Sequence, residues 1–174
     1  DHNHRFRTEW LKECASRGIT KAWISIDGSN NDCEARSSDL CGKGNAKSHT
    51  NSDIVSFIWA LDTKTGTPVT YFVNNGGMVD SKAFQKMASF LGNSGIEIEG
   101  VILDRGFCSH DVIRMLEECN YPYVVMLKSD TYGHTQMMEK HASEIKWNVK
   151  RVVGDDGKFG IAENGQIFGN HPQT

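Results

Sequence analysis

The feature that most constrains the fold is a change of hydrophobic period near residue 80. Before it lie three short apolar runs with strand character, at 21–27, 53–61 and 69–75. After it, apolar residues recur at helical spacing over 81–93 and 109–120, each stretch followed by an apolar run, at 99–104 and 121–128. The order β-β-β-α-β-α-β predicts a mixed five-stranded sheet, α/β in class, with helices on its faces.

That order is the one seen in the ribonuclease H-like fold, which we therefore predict for residues 21–130. Residues 1–20 form a polar lead-in with a short helix. Residues 131–174 change pattern to a possible helix and Gly-rich short strands, and we interpret them as part of a β-rich insertion or appended segment. The start at Asp1 and the loop-like end at Thr174 indicate a fragment of a longer protein.

Composition excludes few functions. Charged residues make up 24% and hydrophobic residues 38%, as in ordinary soluble domains. The net charge of −3 gives no indication of nucleic-acid binding, although a local basic patch could still bind a nucleic acid. No apolar run approaches 18 residues, so no membrane span is predicted.

Five cysteines, an odd number with no CxxC pair, argue against a disulfide framework and favour a reducing cytoplasm. Cys33, Cys41 and His49 could be read as a zinc site, but their spacing matches no usual zinc finger.

Two aspartates, Asp27 and Asp104, end the first and fourth predicted strands. In the predicted fold these strands are parallel neighbours, so both carboxylates should emerge at one sheet edge, where open α/β sheets build their sites. Two adjacent carboxylates repel unless a cation lies between them, and Mg²⁺ prefers such oxygen ligands. Each aspartate alone could be a simple cap of the following turn. The pair predicts a site for one or two magnesium ions.

At this point three stretches resemble the catalytic core of DDE transposases of bacterial insertion sequences: "WISIDGSN", residues 42–84 and "GVILDRGFCSHDVIRMLEECNYPYVVMLK". The Asp-Arg-Gly-Phe element is the most specific part. The resemblance implies cleavage and joining of DNA strands with Mg²⁺, which Mn²⁺ can replace. It implies transposon ends and target DNA as partners, a dimeric synaptic complex and a bacterial cytoplasmic, nucleoid-associated location.

Carried over by position, Asp27 and Asp104 match the first two metal-binding acids of that family. We expect the third, a glutamate, beyond Thr174, which would leave this fragment inactive; Glu139 and Glu144 are the candidates within the chain. Asp80 matches an acidic position of the family, but an N-cap role explains it.

Four basic residues are candidate DNA contacts, since phosphates are commonly bound by Arg and Lys. They are Arg105, Lys128, Lys43 and Lys47. The last two lie in a long polar loop that could equally be only solvated. Two other readings stay open: a non-enzymatic DNA-binding remnant of a transposase, and a phosphotransferase of the actin and sugar-kinase type, for which "DGSNN" is a poor phosphate hairpin.

Overall fold

Two compact units make up the chain, Asp1–Met126 and Leu127–Thr174. The computed structural model describes residues 2–35, 38–48, 51–127 and 134–146, with 148, 150, 152–153 and 158–161. Lys128 and His49 lie outside the described residues. Within the described part of the chain, no helix is both long and apolar enough to cross a lipid bilayer.

The first unit is built on a five-stranded sheet with the order β3-β2-β1-β4-β5. The strands are β1 Lys21–Asp32, β2 Ile54–Asp62, β3 Pro68–Asn75, β4 Glu97–Leu103 and β5 Tyr123–Val125. β1, β2 and β3 form an antiparallel meander, whereas β4 pairs parallel with both β1 and β5. This is the ribonuclease H-like topology, and the predicted fold is confirmed.

Among the described residues of this unit, three α-helices accompany the sheet: α1 His2–Ser16, α2 Asp80–Gly92 and α3 His110–Glu118. The sequence predicts an apolar stripe of five residues on α2, of which Ala83, Phe84, Met87 and Leu91 are buried and Ala88 is half-buried. Ser109 caps α3, because its hydroxyl accepts a hydrogen bond from the backbone N–H of Val112. A 3₁₀ turn, Arg105–Phe107, separates β4 from α3.

The core lies on the sheet face against which α2 packs, and α3 contacts α2. Alternate residues of β1 point into it, with Ile24 and Ile26 at most 2% exposed. Helix α1 packs against β3. The indole N–H of Trp10 donates to the carbonyl of Pro68 at 2.7 Å, which ties the two elements together.

The opposite face carries a row of aromatic rings on β2 and β3. Phe57 and Trp59 stack with ring centroids 6.4 Å apart, and Trp59 lies 5.2 Å from Tyr71. Trp59 is 37% exposed. On the same face, the Trp23 ring of β1 lies directly over Gly100 of β4.

Three local expectations were wrong. β1 does not end at Asp27 but continues to Asp32, because residues 28–32 pair with β2 as far as Ile54. β5 is limited to Tyr123–Val125 and does not fill 121–128. Cys33 and Cys41 form a disulfide, with Cα atoms 5.9 Å apart.

The disulfide follows from the path of the loop after β1. The N–H of Cys33 donates to the carbonyl of Asp53, and Gly42 pairs with Ile54 as an isolated bridge. Both ends of the loop are therefore held at the start of β2, so the two cysteines meet. Cysteine spacing in the sequence does not reveal this.

The second unit contains α4, His134–Ile145, and a two-stranded antiparallel sheet of β6 Val152–Val153 and β7 Lys158–Phe159. A helix followed by short strands was the expected pattern for this segment.

Candidate active site

The geometry of the central parallel pair brings Asp27 and Asp104 together. The last β1–β4 pair in register is Ile26 with Leu103; Asp27 is the next residue of β1, and Asp104 is the residue that directly follows β4. Neighbouring strands lie about 4.8 Å apart, so the two backbones present their carboxylates side by side. Both side chains are exposed and both line one cavity of about 480 Å³.

Local hydrogen bonds fix the backbone beside each carboxylate. The N–H of Gly28 donates to Asp27 Oδ1 at 2.7 Å. The N–H of Gly106 donates to Asp104 Oδ1, so Asp104 does cap the 3₁₀ turn that follows β4. A carboxylate has several acceptor sites, so capping with one oxygen leaves Asp104 able to bind a cation. The two readings of Asp104 are therefore compatible.

Phe107 links the two halves of the site. Its ring comes within 3.8 Å of the position that a Cβ on Gly28 would occupy. Phe107 is 4% exposed, and it packs with Phe84 of α2 at a centroid distance of 6.2 Å. Phe107 thus anchors the 3₁₀ turn after Asp104 in the core, next to Gly28 of β1.

Lys43 and Lys47 also line the cavity, and both are engaged with the protein. The Lys43 ammonium lies 3.0 Å from a carboxylate oxygen of Asp53. Lys47 donates to the carbonyl of Gly28 at 2.9 Å, beside Asp27. The loop after β1 therefore folds back over the edge of the sheet at which Asp27 lies.

The remaining predicted residues are placed differently. Arg105 begins the 3₁₀ turn and is exposed, but it is not among the residues that line the cavity. Glu139 and Glu144 lie on α4 in the second unit, where Glu144 contacts His141 at 3.4 Å. Lys128 lies outside the described residues, and its predicted DNA contact stays a prediction.

Sequence reasoning missed or misread two cavity residues, Asn74 and Asp80. Asn74 is 3% exposed, and neither its amide oxygen nor its amide nitrogen has a hydrogen-bond partner among the described residues. The sequence feature that could have indicated Asn74 is a polar residue at an inward-facing position of β3. Asp80 is not the N-cap of α2: Val79 occupies that position, and the Val79 side chain makes no capping hydrogen bond.

The donor set fits a hard divalent cation. The cavity offers carboxylate and amide oxygens and no thiolate or imidazole from the described residues that line it. No three His, Cys, Asp or Glu side chains in the described chain already converge on a single point.

Comparisons with known proteins give only distant likenesses. No family model matches the chain, and no curated protein matches it in sequence. Among solved structures, it is similar to a piggyBac transposase in a synaptic complex with hairpin DNA (TM-score 0.46, 12% identity, 68% of this chain and 25% of that one). It is also similar to the Mos1 transposase in a paired-end complex (0.39, 12%, 79% and 52%).

A chain of the simian T-cell lymphotropic virus intasome gives a TM-score of 0.44 at 11% identity, over 94% of this chain and 67% of that one. Likenesses at this level do not assign the chain to a family. Its own strand order establishes the fold.

Proposed function

We propose that the first unit is the catalytic core of a transposase, a polynucleotidyl transferase that cuts and joins DNA strands with divalent metal ions. The placement of Asp27 and Asp104 carries the proposal, since both follow the last parallel pair of the sheet and line one cavity. The resemblance of the sequence around both residues to DDE transposases of insertion sequences supports it.

In this proposal Asp27 and Asp104 hold Mg²⁺ or Mn²⁺, as one ion or two. Bound ions of this kind stabilise the attacking and leaving oxygens of a phosphoryl displacement. The carboxylates fix where the scissile phosphate can sit, at the carboxyl edge of β1 and β4. Lys47, whose ammonium lies beside Asp27 at the Gly28 carbonyl, is placed to contact a phosphate of the bound strand.

The partners follow from the same proposal. They are transposon-end and target DNA, held by a dimer in the synaptic complex, in a bacterial cytoplasm. Lys43 can turn from Asp53 to a phosphate at modest cost, because exposed ion pairs contribute little stability. Arg105 lies on the turn that Asp104 caps, so it is a candidate contact just outside the cavity.

One structural observation disfavours the kinase-type alternative. A phosphate-binding hairpin would have to follow Asp27 directly, but residues 28–32 continue β1 in register with β2. They form a strand and not a Gly-rich phosphate loop, so their backbone N–H groups do not converge on an anion.

Binding measurements on the 174-residue chain test the proposal without requiring turnover. Mn²⁺ affinity is measured from the free-ion signal by electron paramagnetic resonance, and affinity for a labelled DNA duplex by fluorescence anisotropy in Mg²⁺ and in EDTA. The variants are Asp27→Asn and Asp104→Asn, with Asp32→Asn as the control on the same strand. We expect each site variant to weaken Mn²⁺ binding at least about tenfold and to abolish any gain in DNA affinity from Mg²⁺.

The control variant should match the wild-type chain in both assays. DNA binding that is equally tight in EDTA, with Mn²⁺ affinity unchanged in both site variants, would instead identify a DNA-binding remnant without a metal site.

A further inference from the structure

A side chain of β1 holds residues 45–47 over the cavity. The Asn30 amide donates through Nδ2 to the carbonyl of Asn45 at 2.9 Å, and its Oδ1 accepts from the N–H of Lys47, also at 2.9 Å. These two partners lie two residues apart, so the amide binds this segment much as the peptide group of a neighbouring strand would. Both the oxygen and the nitrogen of the half-buried Asn30 side chain are thus used on one short stretch of backbone.

The same stretch carries a lysine whose ammonium lies beside Asp27. Lys47 Nζ donates to the carbonyl of Gly28 at 2.9 Å, so both the backbone and the side chain of Lys47 are bonded to β1. Lys43 in the cavity wall is paired with Asp53 at 3.0 Å, whereas Lys47 forms no ion pair with any residue that the structure describes. The Lys47 charge is therefore fixed at the residue that follows Asp27, and it stays available to an anion.

Holding Lys47 in advance favours the binding of a phosphate. A lysine side chain has many rotamers, and an anion that binds it must offset their loss. Lys47 is held at its N–H by Asn30 and at its ammonium by the Gly28 carbonyl, so part of this entropy is lost on folding and not on binding. Asn45 and Lys47 are both exposed, so packing contributes little to this arrangement and the Asn30 amide contributes most of it.

We infer that Asn30 is a positioning residue for DNA binding: it holds residues 45–47 so that the Lys47 ammonium meets a phosphate of the DNA strand bound at Asp27. The inference rests on the proposed function, because it takes DNA as the substrate of this cavity. In this role Asn30 contacts neither the DNA nor a metal ion, and it acts only through Lys47. The preformed conformation of the loop then becomes part of substrate binding.

The test is a double-mutant cycle between Asn30→Ala and Lys47→Met in the 174-residue chain, read out by its affinity for a fluorescein-labelled DNA duplex. Anisotropy is measured at a fixed Mg²⁺ concentration over a series of KCl concentrations, because each phosphate contact contributes about 0.9 to the steepness of log K against log salt concentration. We expect each single variant to lower this steepness by about 0.9 and the affinity in low salt about fivefold. The double variant should match Lys47→Met.

Asn75→Ala is the matched control, because Asn75 also holds this loop through its side-chain amide. Its Nδ2 donates to the carbonyl of Asp39 at 2.7 Å and to that of Cys41 at 3.1 Å. The Cys33–Cys41 disulfide holds that end of the loop as well, so we expect Asn75→Ala to keep the salt dependence of the wild-type chain.

Two further measurements separate positioning from a general loss of structure. Hydrogen exchange at the Lys47 N–H, which Asn30 binds directly, should be faster in Asn30→Ala and unchanged in Asn75→Ala. Mn²⁺ affinity should not be weakened by Asn30→Ala or by Lys47→Met, since neither change removes a carboxylate. Thermal unfolding followed by circular dichroism checks that each variant folds.

The inference is overturned if the losses of DNA affinity from Asn30→Ala and Lys47→Met add in the double variant, or if Asn75→Ala lowers the salt dependence as much as Asn30→Ala does. It is also overturned if Lys47→Met binds the duplex as the wild-type chain does, or if the chain binds no duplex. In each of these cases, weaker Mn²⁺ binding by Asp27→Asn and Asp104→Asn would leave the metal site of the proposed function standing. Unchanged Mn²⁺ binding in those two variants would remove both.

Discussion

Gly100→Ala tests the packing that sets the β1–β4 register. The ideal Cβ at this position would lie 2.5–2.7 Å from three carbon atoms of the Trp23 ring, about 1 Å inside normal carbon–carbon contact. The ring must tilt or the strands must separate, and overpacking of this kind costs about 1–3 kcal/mol. The first unit has about 126 residues, so its unfolding entropy near the melting temperature is roughly 0.26 kcal/mol/K. We therefore expect the Tm to fall by roughly 4–12 °C.

A double-mutant cycle with Trp23→Ala identifies the cause. Without the indole ring, the alanine at position 100 meets no side chain of Trp23, so Gly100→Ala should be close to neutral in that background. Melting curves of the four proteins by circular dichroism give the coupling energy. If Gly100→Ala lowers the Tm equally in both backgrounds, the ring contact is not what constrains this position, and the reasoning is wrong.

Two further predictions concern the stability of the first unit. The Cys33–Cys41 disulfide closes a loop with a sequence separation of 8, so Cys33→Ser or a reductant should lower the free energy of unfolding by about 2–3 kcal/mol and the Tm by roughly 8–12 °C. Cys119→Ser at an exposed free thiol is the control, and an equal change there would refute the assignment. Although burial raises the pKa of Asp62, hydrogen bonds from the Thr65 hydroxyl and nearby backbone N–H groups outweigh it, and the net pKa is lowered. Asp62 therefore stabilises the fold above its unfolded pKa of about 3.9, and this contribution is lost as the pH falls through the lower folded pKa. Between neutral and acidic pH, the Tm of Thr65→Val should fall by less than the Tm of the wild-type chain. An identical fall would show that the hydrogen bond from Thr65 does not lower the pKa of Asp62.

The sheet was predictable because its elements have strong and distinct periods. The apolar stripe of α2 and the buried alternation in β1 are each determined by local sequence, and the order of elements then leaves few topologies. The end of β1 was not predictable in this way. Residues 28–32 are small and polar, and they are held as a strand by pairing with β2, a tertiary effect that overrides weak local propensity.

In the candidate site, too, the residues that local sequence determines could be predicted, and those that depend on tertiary structure could not. The placement of Asp27 and Asp104 at neighbouring positions of the sheet could be predicted because each directly follows an apolar run. Asp80 was misread because a single sequence does not distinguish the N-cap from the first helical position, one residue later. The roles of Lys43 and Lys47 depend on how the connection over residues 33–53 folds back, which no local pattern specifies.

The parallel pairing of β1 with β4 has a consequence for when the site exists during folding. Its two aspartates are separated by most of the unit's sequence, including the β2–β3 hairpin and α2, and no local contact brings them together. Such long-range pairings form late, because the chain must lose the entropy of closing a long loop before the contacts can form. An ion that binds both carboxylates would thus recognise only molecules whose central strands have docked. Under denaturing conditions it would shift the equilibrium toward the native state in proportion to its concentration, and metal-dependent protection would report on completion of the fold.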